Sequence, residues 1–142
     1  QFDKVEIVQV QLPTEADQAL EDMCLHVRRL LEKLGLPYRV VQLCGGDLGF
    51  TAAMTYDMEV WSAGQQRWLE VSSVSTFGTY QSRRMQLRYK DAQGKRHFPH
   101  TLNGSAIALP RIVAALLENQ QTAQGIQVPA VLQPYTGFER IS

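Results

Sequence analysis

The sequence predicts an α+β fold in which an antiparallel sheet is flanked by helices. Residues 57–75 and 85–100 each consist of two strand-like segments around a turn, and consecutive hairpins indicate an antiparallel sheet. Two other segments, residues 14–34 and 111–120, are predicted to be helical. The chain has 142 residues, a common length for one domain with its own hydrophobic core.

The first two elements are a strand and a long helix. Valine and isoleucine recur with partial alternation over residues 2–12, which predicts a strand that ends at Pro13. Thr14 is predicted to cap the helix, and Gly35 and Pro37 to end it. The helix has an apolar stripe at spacings of three and four, made of Leu20, Met23, Cys24, Val27, Leu30, Leu31 and Leu34.

The rest of the chain alternates between strands and glycine-containing turns before a final helix. Pro110 suits the first position of that helix, and Gly125, Pro129 and Pro134 predict a loop-rich tail after it. The predicted strands are residues 38–43, 57–62, 67–75, 85–89 and 95–100, and the loops between them include residues 44–49, 63–66 and 91–94.

Charge and hydropathy exclude several classes of protein. Fourteen Lys and Arg balance fourteen Asp and Glu, so the net charge gives no broad attraction to nucleic acid or anionic lipid. No apolar run approaches the ~20 residues of a membrane span, and no signal peptide opens the sequence. We therefore expect no membrane partner and a cytoplasmic location. The sequence begins in mid-pattern without Met, as a processed or truncated product would.

The cysteines and histidines do not predict a metal or nucleophile site. Cys24 and Cys44 lie in apolar surroundings without metal-ligand spacing, so buried free thiols are favoured over a disulfide or a zinc site. His26, His97 and His100 have no metal-ligand partners nearby and are predicted to be structural or surface residues. No Ser-His-Asp or Cys-His arrangement can be built from neighbouring segments.

Three segments carry polar side chains of the kinds that bind nucleotides. Residues 1–6 combine an aromatic ring with carboxylates, and residues 67–75 combine Glu70 with several hydroxyls. Residues 101–111 run through small side chains into Arg111 at a predicted helix start, where backbone amides favour anions. An arginine fork at such a place suits phosphate oxygens.

In order, spacing and identity, these segments resemble the catalytic core of seryl-tRNA synthetases of the bacterial type, which are class II aminoacyl-tRNA synthetases. The resemblance covers nearly all of the chain and implies that residues 1–142 are the C-terminal part of the catalytic domain, from the end of motif 2 through motif 3. It implies activation of serine with ATP to seryl-adenylate and transfer to tRNA(Ser). The implied cofactors are ATP and Mg²⁺, and the implied full-length protein is a homodimer.

The resemblance also implies roles for individual residues. Phe2 would stack on adenine, and Glu6, Asn103 and Ser105 would contact serine. No side chain is implied to react, because the chemistry depends on positioning and electrostatics. The implied ATP contacts are Phe2, Val5, Glu70, Val71, Ser72, Ser73 and Arg111, of which Glu70 and Ser73 would also contact the metal.

In the second segment, residues 67–75, strand geometry decides which side chains share a face of the sheet. Simple alternation places Glu70 with Ser72 on one sheet face and Val71 with Ser73 on the other, unless a bulge intervenes. Within the implied ATP stretch, Val71 and Ser72 are therefore treated as supporting strand. Nearby, Arg83 and Arg84, with Gln81, are expected to open a helical turn and to form structural salt bridges.

Several parts of such an enzyme have no counterpart in the sequence. These are the tRNA-binding coiled coil, the motif 1 dimer elements, and the first strand of motif 2 with its phosphate-binding arginine. Most tRNA contacts are thus expected from regions outside residues 1–142. Zinc is not implied, because the Cys and His ligands of divergent zinc-dependent seryl enzymes are lacking.

Two alternatives to a seryl-tRNA synthetase remain. One is a paralogue that loads an activated amino acid onto a carrier protein instead of tRNA. The other is a synthetase-derived binding module without catalytic activity. The joint presence of Glu6, Glu70, Ser105 and Arg111 favours an enzyme, and a coiled-coil arm before residue 1 would favour tRNA as the acceptor.

Overall fold

The computed structural model describes residues 1–142 and contains a central five-stranded antiparallel sheet. The helices are α1 (Ala16–Lys33), α2 (Tyr80–Met85), α3 (Leu109–Asn119) and α4 (Gln133–Thr136). The strands are β1 (Lys4–Gln11), β2 (Tyr38–Gln42), β3 (Met54–Ser62), β4 (Arg67–Thr76), β5 (Tyr89–Lys90), β6 (Arg96–His97), β7 (His100–Ala108), β8 (Gln121–Thr122), β9 (Gly125–Gln127) and β10 (Arg140–Ile141). The predicted α+β class with an antiparallel sheet flanked by helices is confirmed.

The central sheet has the strand order β1-β7-β4-β3-β2. Its edge strands, β1 and β2, are consecutive in the chain, and α1 crosses the sheet between them. Strand β7, which follows α2 and the β5–β6 hairpin, inserts between β1 and β4. This insertion brings the three polar segments, residues 1–6, 67–75 and 101–111, next to one another in one sheet.

One face of the sheet forms the hydrophobic core under α1 and α3. Met58, Val74 and Leu102 project from three strands toward these helices and are completely buried. Val27 of α1 and Ala115 of α3 belong to the same cluster and are also fully buried. Each large apolar side chain removed from water contributes about 1.5–3 kcal/mol. Because both long helices cover this face, the opposite face stays open, and a set of polar side chains from β3 and β4 lies on it.

A β-bulge interrupts the pairing of β3 with β4. Met58 pairs with Ser72, but the next residue, Glu59, pairs with Glu70, so Val71 is an extra residue in β4. A bulge of this kind breaks the simple alternation of side chains along the strand. The bulge that would place Glu70 and Ser73 on the same face is therefore present.

The structure corrects several local predictions. Thr14 makes no capping hydrogen bond, and α1 begins after Glu15 instead. Because α3 already starts at Leu109, Pro110 occupies its second position, where a missing amide hydrogen is equally harmless. Met85 belongs to α2, so the second hairpin is shortened to β5 and β6.

The predicted loop-rich tail also contains regular structure. Strands β8, β9 and β10 form a three-stranded sheet, and Gly137 ends the short α4 in a left-handed conformation. Strands of two or three residues are too short to show alternation in sequence, so the pattern gave no sign of them.

Three side-chain predictions are also wrong. Cys44 is exposed because it lies just beyond β2, whereas Cys24 is on the buried side of α1, as expected. Arg83 and Arg84 form no salt bridge; their guanidinium groups lie over the rings of Phe98 and Tyr80, 5.3 and 3.5 Å from the centroids. Aromatic rings attract such cations through their negative faces.

None of the helices combines the length and the apolar character that a membrane crossing requires.

Candidate active site

A polar cleft of about 500 Å³ opens on the uncovered face of β3 and β4. The segment between β2 and β3 forms its other wall, which includes Asp47 and Thr51. Cleft walls that combine carboxylates and hydroxyls suit a ligand that carries charge and a metal ion. The residues that line it are Leu43, Asp47, Gly49, Thr51, Ala52, Thr55, Asp57, Glu70, Ser73, Ser75 and Phe77.

Cross-strand neighbours of β3 and β4 make the floor of this cleft. Thr55 faces Ser75 and Asp57 faces Ser73, while Glu70, which also lines the cleft, faces Glu59, which does not. The Thr55 and Ser75 hydroxyl oxygens lie 2.7 Å apart in a buried hydrogen bond. The bulge at Val71 makes this ladder continuous, because it returns Glu70 to the face that carries Ser73.

The two carboxylates of the cleft floor are destabilised as anions. Burial raises the pKa of Asp57, the Ser73 hydroxyl opposes this by hydrogen bonding, and the charge of Glu59 adds to it. Partial burial also raises the pKa of Glu70, to which Asp57 contributes further repulsion while Arg111 opposes it. One oxygen of Asp57, Oδ1, is buried without a hydrogen-bond partner. A bound cation would relieve both effects.

Arg111 connects the start of α3 with the cleft. Its guanidinium Nη1 donates a hydrogen bond to the backbone carbonyl oxygen of Glu70. Arg111 is otherwise exposed, so four of its five N–H donors remain for an anion near the cleft. The positive charge at the helix start thus lies next to the negative charge of Glu70.

A second polar group lies where β1 pairs with β7. Glu6 is directly opposite Ser105, and the Ser105 hydroxyl donates to Glu6 Oε2 over 3.4 Å. Lys4 Nζ lies 2.8 Å from the same carboxylate oxygen. The Ser72 hydroxyl on the other side of β7 donates to the backbone oxygen of Ser105 and so ties β4 to this point. Glu6 and Ser105 together offer acceptors and a hydroxyl to a small polar ligand.

Asn103 lies two residues before Ser105 and therefore on the same face of β7. In the strand register it stands between Val8 of β1 and Ser75 of β4. Its amide nitrogen donates to Gln81 Oε1 over 3.1 Å. Asn103 consequently lies between the Glu6–Ser105 pair and the cleft that contains Ser75.

Close contact between β4 and β7 depends on Gly104. A Cβ atom at this position would lie 2.5 Å from the Ser73 carbonyl oxygen and 2.7 Å from Val74 Cα. Real side chains essentially never approach backbone so closely, so only glycine fits. The absence of a side chain at Gly104 therefore leaves space for the neighbouring strand.

The remaining residues of the predicted ATP stretch occupy different positions. Val71 and Ser72 are buried on the core side, so their side chains support the strand and do not line the cleft. Phe2 precedes β1 and is 56% exposed, which leaves its ring available for stacking. Val5 alternates to the face opposite Glu6, so any contact from it to a ligand beside Glu6 would come from its backbone.

The structure contains no group of three His, Cys, Asp or Glu side chains that could hold a metal ion. Glu70 and Ser73 alone supply one carboxylate and one hydroxyl. Mg²⁺ commonly takes only one or two ligands from a protein and the others from phosphate and water. The predicted pair is therefore compatible with Mg²⁺ that arrives with a nucleotide.

Sequence reasoning missed Asp57, Asp47 and Thr51 as residues of the cleft. Asp57 gave one signal, an acidic side chain inside a strand whose neighbours Met58 and Val60 are apolar. The loop residues gave none, because the folding of residues 44–53 toward β3 is a tertiary property.

The sequence and the structure both match known proteins. Residues 1–120 match the family model described as the tRNA synthetase class II core domain (G, H, P, S and T). The serine–tRNA ligase of Akkermansia muciniphila is 56% identical over 142 residues, which are 99% of this chain and 33% of that protein. That of Salinibacter ruber is 54% identical over 143 residues, with the same coverage. The chain spans about a third of the length of these curated relatives.

Solved structures agree. The structure of seryl-tRNA synthetase from Pyrococcus horikoshii, complexed with ATP, matches this chain with a TM-score of 0.94 and 40% sequence identity. The match covers all of this chain and 33% of that protein chain. The structure of cytoplasmic serine–tRNA ligase from Naegleria fowleri, in complex with AMP, matches with a TM-score of 0.92 and 34% sequence identity. This match covers all of this chain and 34% of that protein chain. Because the family model matches 120 of the 142 residues, the chain belongs to the family of class II tRNA synthetase core domains.

Proposed function

We propose that the chain is the C-terminal part of the catalytic domain of a serine–tRNA ligase, from the end of motif 2 through motif 3. In the complete polypeptide it would bind ATP and serine, form seryl-adenylate and transfer the seryl group to tRNA(Ser). The observation that carries this proposal is that one sheet face holds both the Glu6–Ser105 pair and the cleft that contains Glu70 and Ser73. Arg111, at the start of α3, donates to the backbone oxygen of Glu70 beside that cleft. Relatives that are 54–56% identical are serine–tRNA ligases.

The cleft fits ATP together with Mg²⁺. Glu70 and Ser73 offer the hard oxygen atoms that Mg²⁺ prefers, and the unpartnered Oδ1 of Asp57 adds negative potential beside them. When bound, the metal would neutralise charge on the phosphates. Arg111 would hold the triphosphate with the donors that Glu70 leaves free, and Phe2 would stack on the adenine.

Serine would bind beside β1 and β7. Glu6 accepts hydrogen bonds from a hydroxyl or an ammonium group, and Ser105 and Asn103 extend this polar site along β7. If alanine bound in place of serine, the carboxylate that contacts the substrate hydroxyl would be left without a hydrogen-bond partner. Selection for serine therefore follows from the cost of burying an unsatisfied polar group.

The proposed chemistry needs no general base among the side chains. The serine carboxylate is already ionised at neutral pH and can attack the α-phosphate in line with the departing pyrophosphate. The residues of the chain hold both reactants and place positive charge near the phosphates, where negative charge develops in the transition state.

The acceptor and the assembly belong to the complete polypeptide. We propose that tRNA(Ser) is bound mostly by regions outside residues 1–142, that the complete protein is a homodimer, and that it acts in the cytoplasm. Loading of a carrier protein remains the second candidate, because activation of the amino acid would use the same cleft residues.

The decisive experiment measures serine-dependent exchange of pyrophosphate into ATP by the complete polypeptide that carries residues 1–142. We expect exchange with serine and ATP, and transfer of labelled serine to tRNA(Ser). Exchange without transfer to tRNA, but with transfer to a carrier protein, would favour the paralogue. Absence of exchange from folded, ATP-binding protein would instead favour a binding module.

A further inference from the structure

The side-chain amide of Asn103 is held by a glutamine from another element. Gln81, in α2, accepts a hydrogen bond from Asn103 Nδ2 at 3.1 Å and one from the Thr101 hydroxyl at 2.7 Å, both at the same oxygen, Oε1. A carbonyl oxygen has two lone pairs. Both lone pairs of Gln81 Oε1 are therefore used by donors from β7.

The segment that carries Gln81 is fixed firmly to β7. Ser82, the next residue, is completely buried, and its hydroxyl donates to the Pro99 carbonyl oxygen over 2.7 Å. The backbone of Thr101 makes two hydrogen bonds to the residues before α2. Its carbonyl oxygen accepts from Phe77 N at 2.9 Å, and its N–H donates to Gly78 O at 3.1 Å. Gln81 therefore has little freedom to follow movements of Asn103, and its position determines how the Asn103 amide is turned.

This arrangement leaves a specific group of Asn103 free. One amide hydrogen is used by Gln81, and no protein donor contacts Asn103 Oδ1. Asn103 lies in the row next to the Glu6–Ser105 pair, on the same sheet face. An oxygen with free lone pairs at this place accepts hydrogen bonds but repels an anionic group.

We infer that Gln81 is a positioning residue, which turns the Asn103 amide so that its oxygen accepts a hydrogen bond from the amino-acid substrate. The inference rests on the proposed function. Of the polar groups of serine, the ammonium and the hydroxyl can donate to this oxygen, whereas the carboxylate cannot. The Asn103 oxygen thus helps to keep the serine carboxylate away from Asn103. The carboxylate is then free to face the α-phosphate.

The opposite orientation makes a different prediction. If the two amides were reversed, Gln81 Nε2 would donate to both neighbours, and Asn103 would present its nitrogen to the ligand. Gln81→Glu separates the two cases, because a carboxylate can only accept hydrogen bonds. Gln81→Leu has a similar size and offers neither donor nor acceptor.

The test measures serine-dependent pyrophosphate exchange by the complete polypeptide. We expect Gln81→Leu to raise the KM for serine roughly tenfold while the KM for ATP changes less than about twofold. Gln81→Glu should restore most of the lost serine affinity. In an Asn103→Ala background, Gln81→Leu should add no further increase, because Gln81 acts through Asn103.

Three results would overturn the inference: equal damage by Gln81→Glu and Gln81→Leu, an unchanged KM for serine in Gln81→Leu, or additive effects of the Gln81 and Asn103 substitutions. Thermal melting of each variant reports whether it is folded. If Gln81→Leu is unfolded at the assay temperature, Gln81→Glu decides alone, since it retains the acceptor. A wild-type protein without serine-dependent exchange would contradict the proposed function itself, which is a distinct outcome.

Discussion

The hydroxyl of Ser105 donates to the carboxylate of Glu6, although 99 positions separate the two residues in the chain. The contact exists because β7 inserts beside β1 at the sheet edge and pairs Glu6 directly with Ser105. It joins the first and the third polar segments of the sequence in one place, and this is where serine is proposed to bind.

Substitution of Glu6 should abolish activation of serine. Glu6→Ala removes the carboxylate that Ser105 and Lys4 contact, so we expect loss of serine-dependent pyrophosphate exchange by the complete polypeptide. The wild type should use alanine with a kcat/KM lower than that for serine by a factor on the order of 10⁴. The reason is that alanine lacks the hydroxyl and leaves the polar groups of the site without a partner. Glu21→Ala, on the exposed side of α1, is the matched control. Normal exchange by Glu6→Ala would remove Glu6 from the site.

Substitution of Arg111 should impair the use of ATP. Arg111→Ala removes a preorganised positive charge beside the cleft, so adenylate formation should slow by roughly 10²–10³-fold or ATP binding should weaken. Pre-steady-state measurement of adenylate formation checks this, with Arg29→Ala on the exposed surface of α1 as the control. A variant whose only defect lies in the KM for serine would argue against the assignment.

Substitution of Gly104 should destabilise the sheet. The Cβ atom of Gly104→Ala would overlap with the backbone of Ser73 and Val74, and overpacking of this kind costs about 1–3 kcal/mol or more. Chemical denaturation should show a lower midpoint, whereas Gly45→Ala, in a loop with open space around it and without a positive φ, measures the effect of substituting an exposed glycine. Equal stability of Gly104→Ala and the wild type would contradict the observed approach of β4 and β7.

The two cysteines should differ strongly in reactivity. Burial, together with the charge of Glu21, raises the pKa of Cys24 to about 11. Cys24 should therefore remain a protonated, inert thiol at pH 8, while the exposed Cys44 reacts with iodoacetamide. Peptide mapping by mass spectrometry should show an adduct at Cys44 alone in the native wild type, at both Cys24 and Cys44 after denaturation, and at neither position in native Cys44→Ser. Rapid double labelling of the native protein would show that Cys24 is accessible.

A polypeptide limited to residues 1–142 should not charge tRNA. Its edge strand β1 exposes Val5, Val8 and Val10, and an open edge with apolar side chains promotes association. Its relatives are about three times as long, and tRNA binding is proposed to depend on that additional length. Size-exclusion chromatography should reveal self-association, and an aminoacylation assay should show no turnover. Charging at a rate near that of the complete polypeptide would refute this prediction.

The sequence by itself determined the fold class and the chemical types of the residues in the candidate site. The apolar stripe of α1 and the turn between β3 and β4 are local patterns, because helix and hairpin geometry repeats over a few residues. The polar residues at positions 6, 70, 105 and 111 could likewise be read in order along the chain. Their resemblance to a known family predicted the fold that the structure shows.

Only the tertiary structure decided how these residues meet. The extra residue Val71 places Glu70 on the same face as Ser73, and no local propensity marks the position of a bulge. The folding of residues 44–53 toward β3 makes Asp57 part of a cleft and leaves Cys44 exposed. Pairing of distant strands and packing of α2 against β7 depend on contacts between residues far apart in the chain, which a local pattern cannot encode.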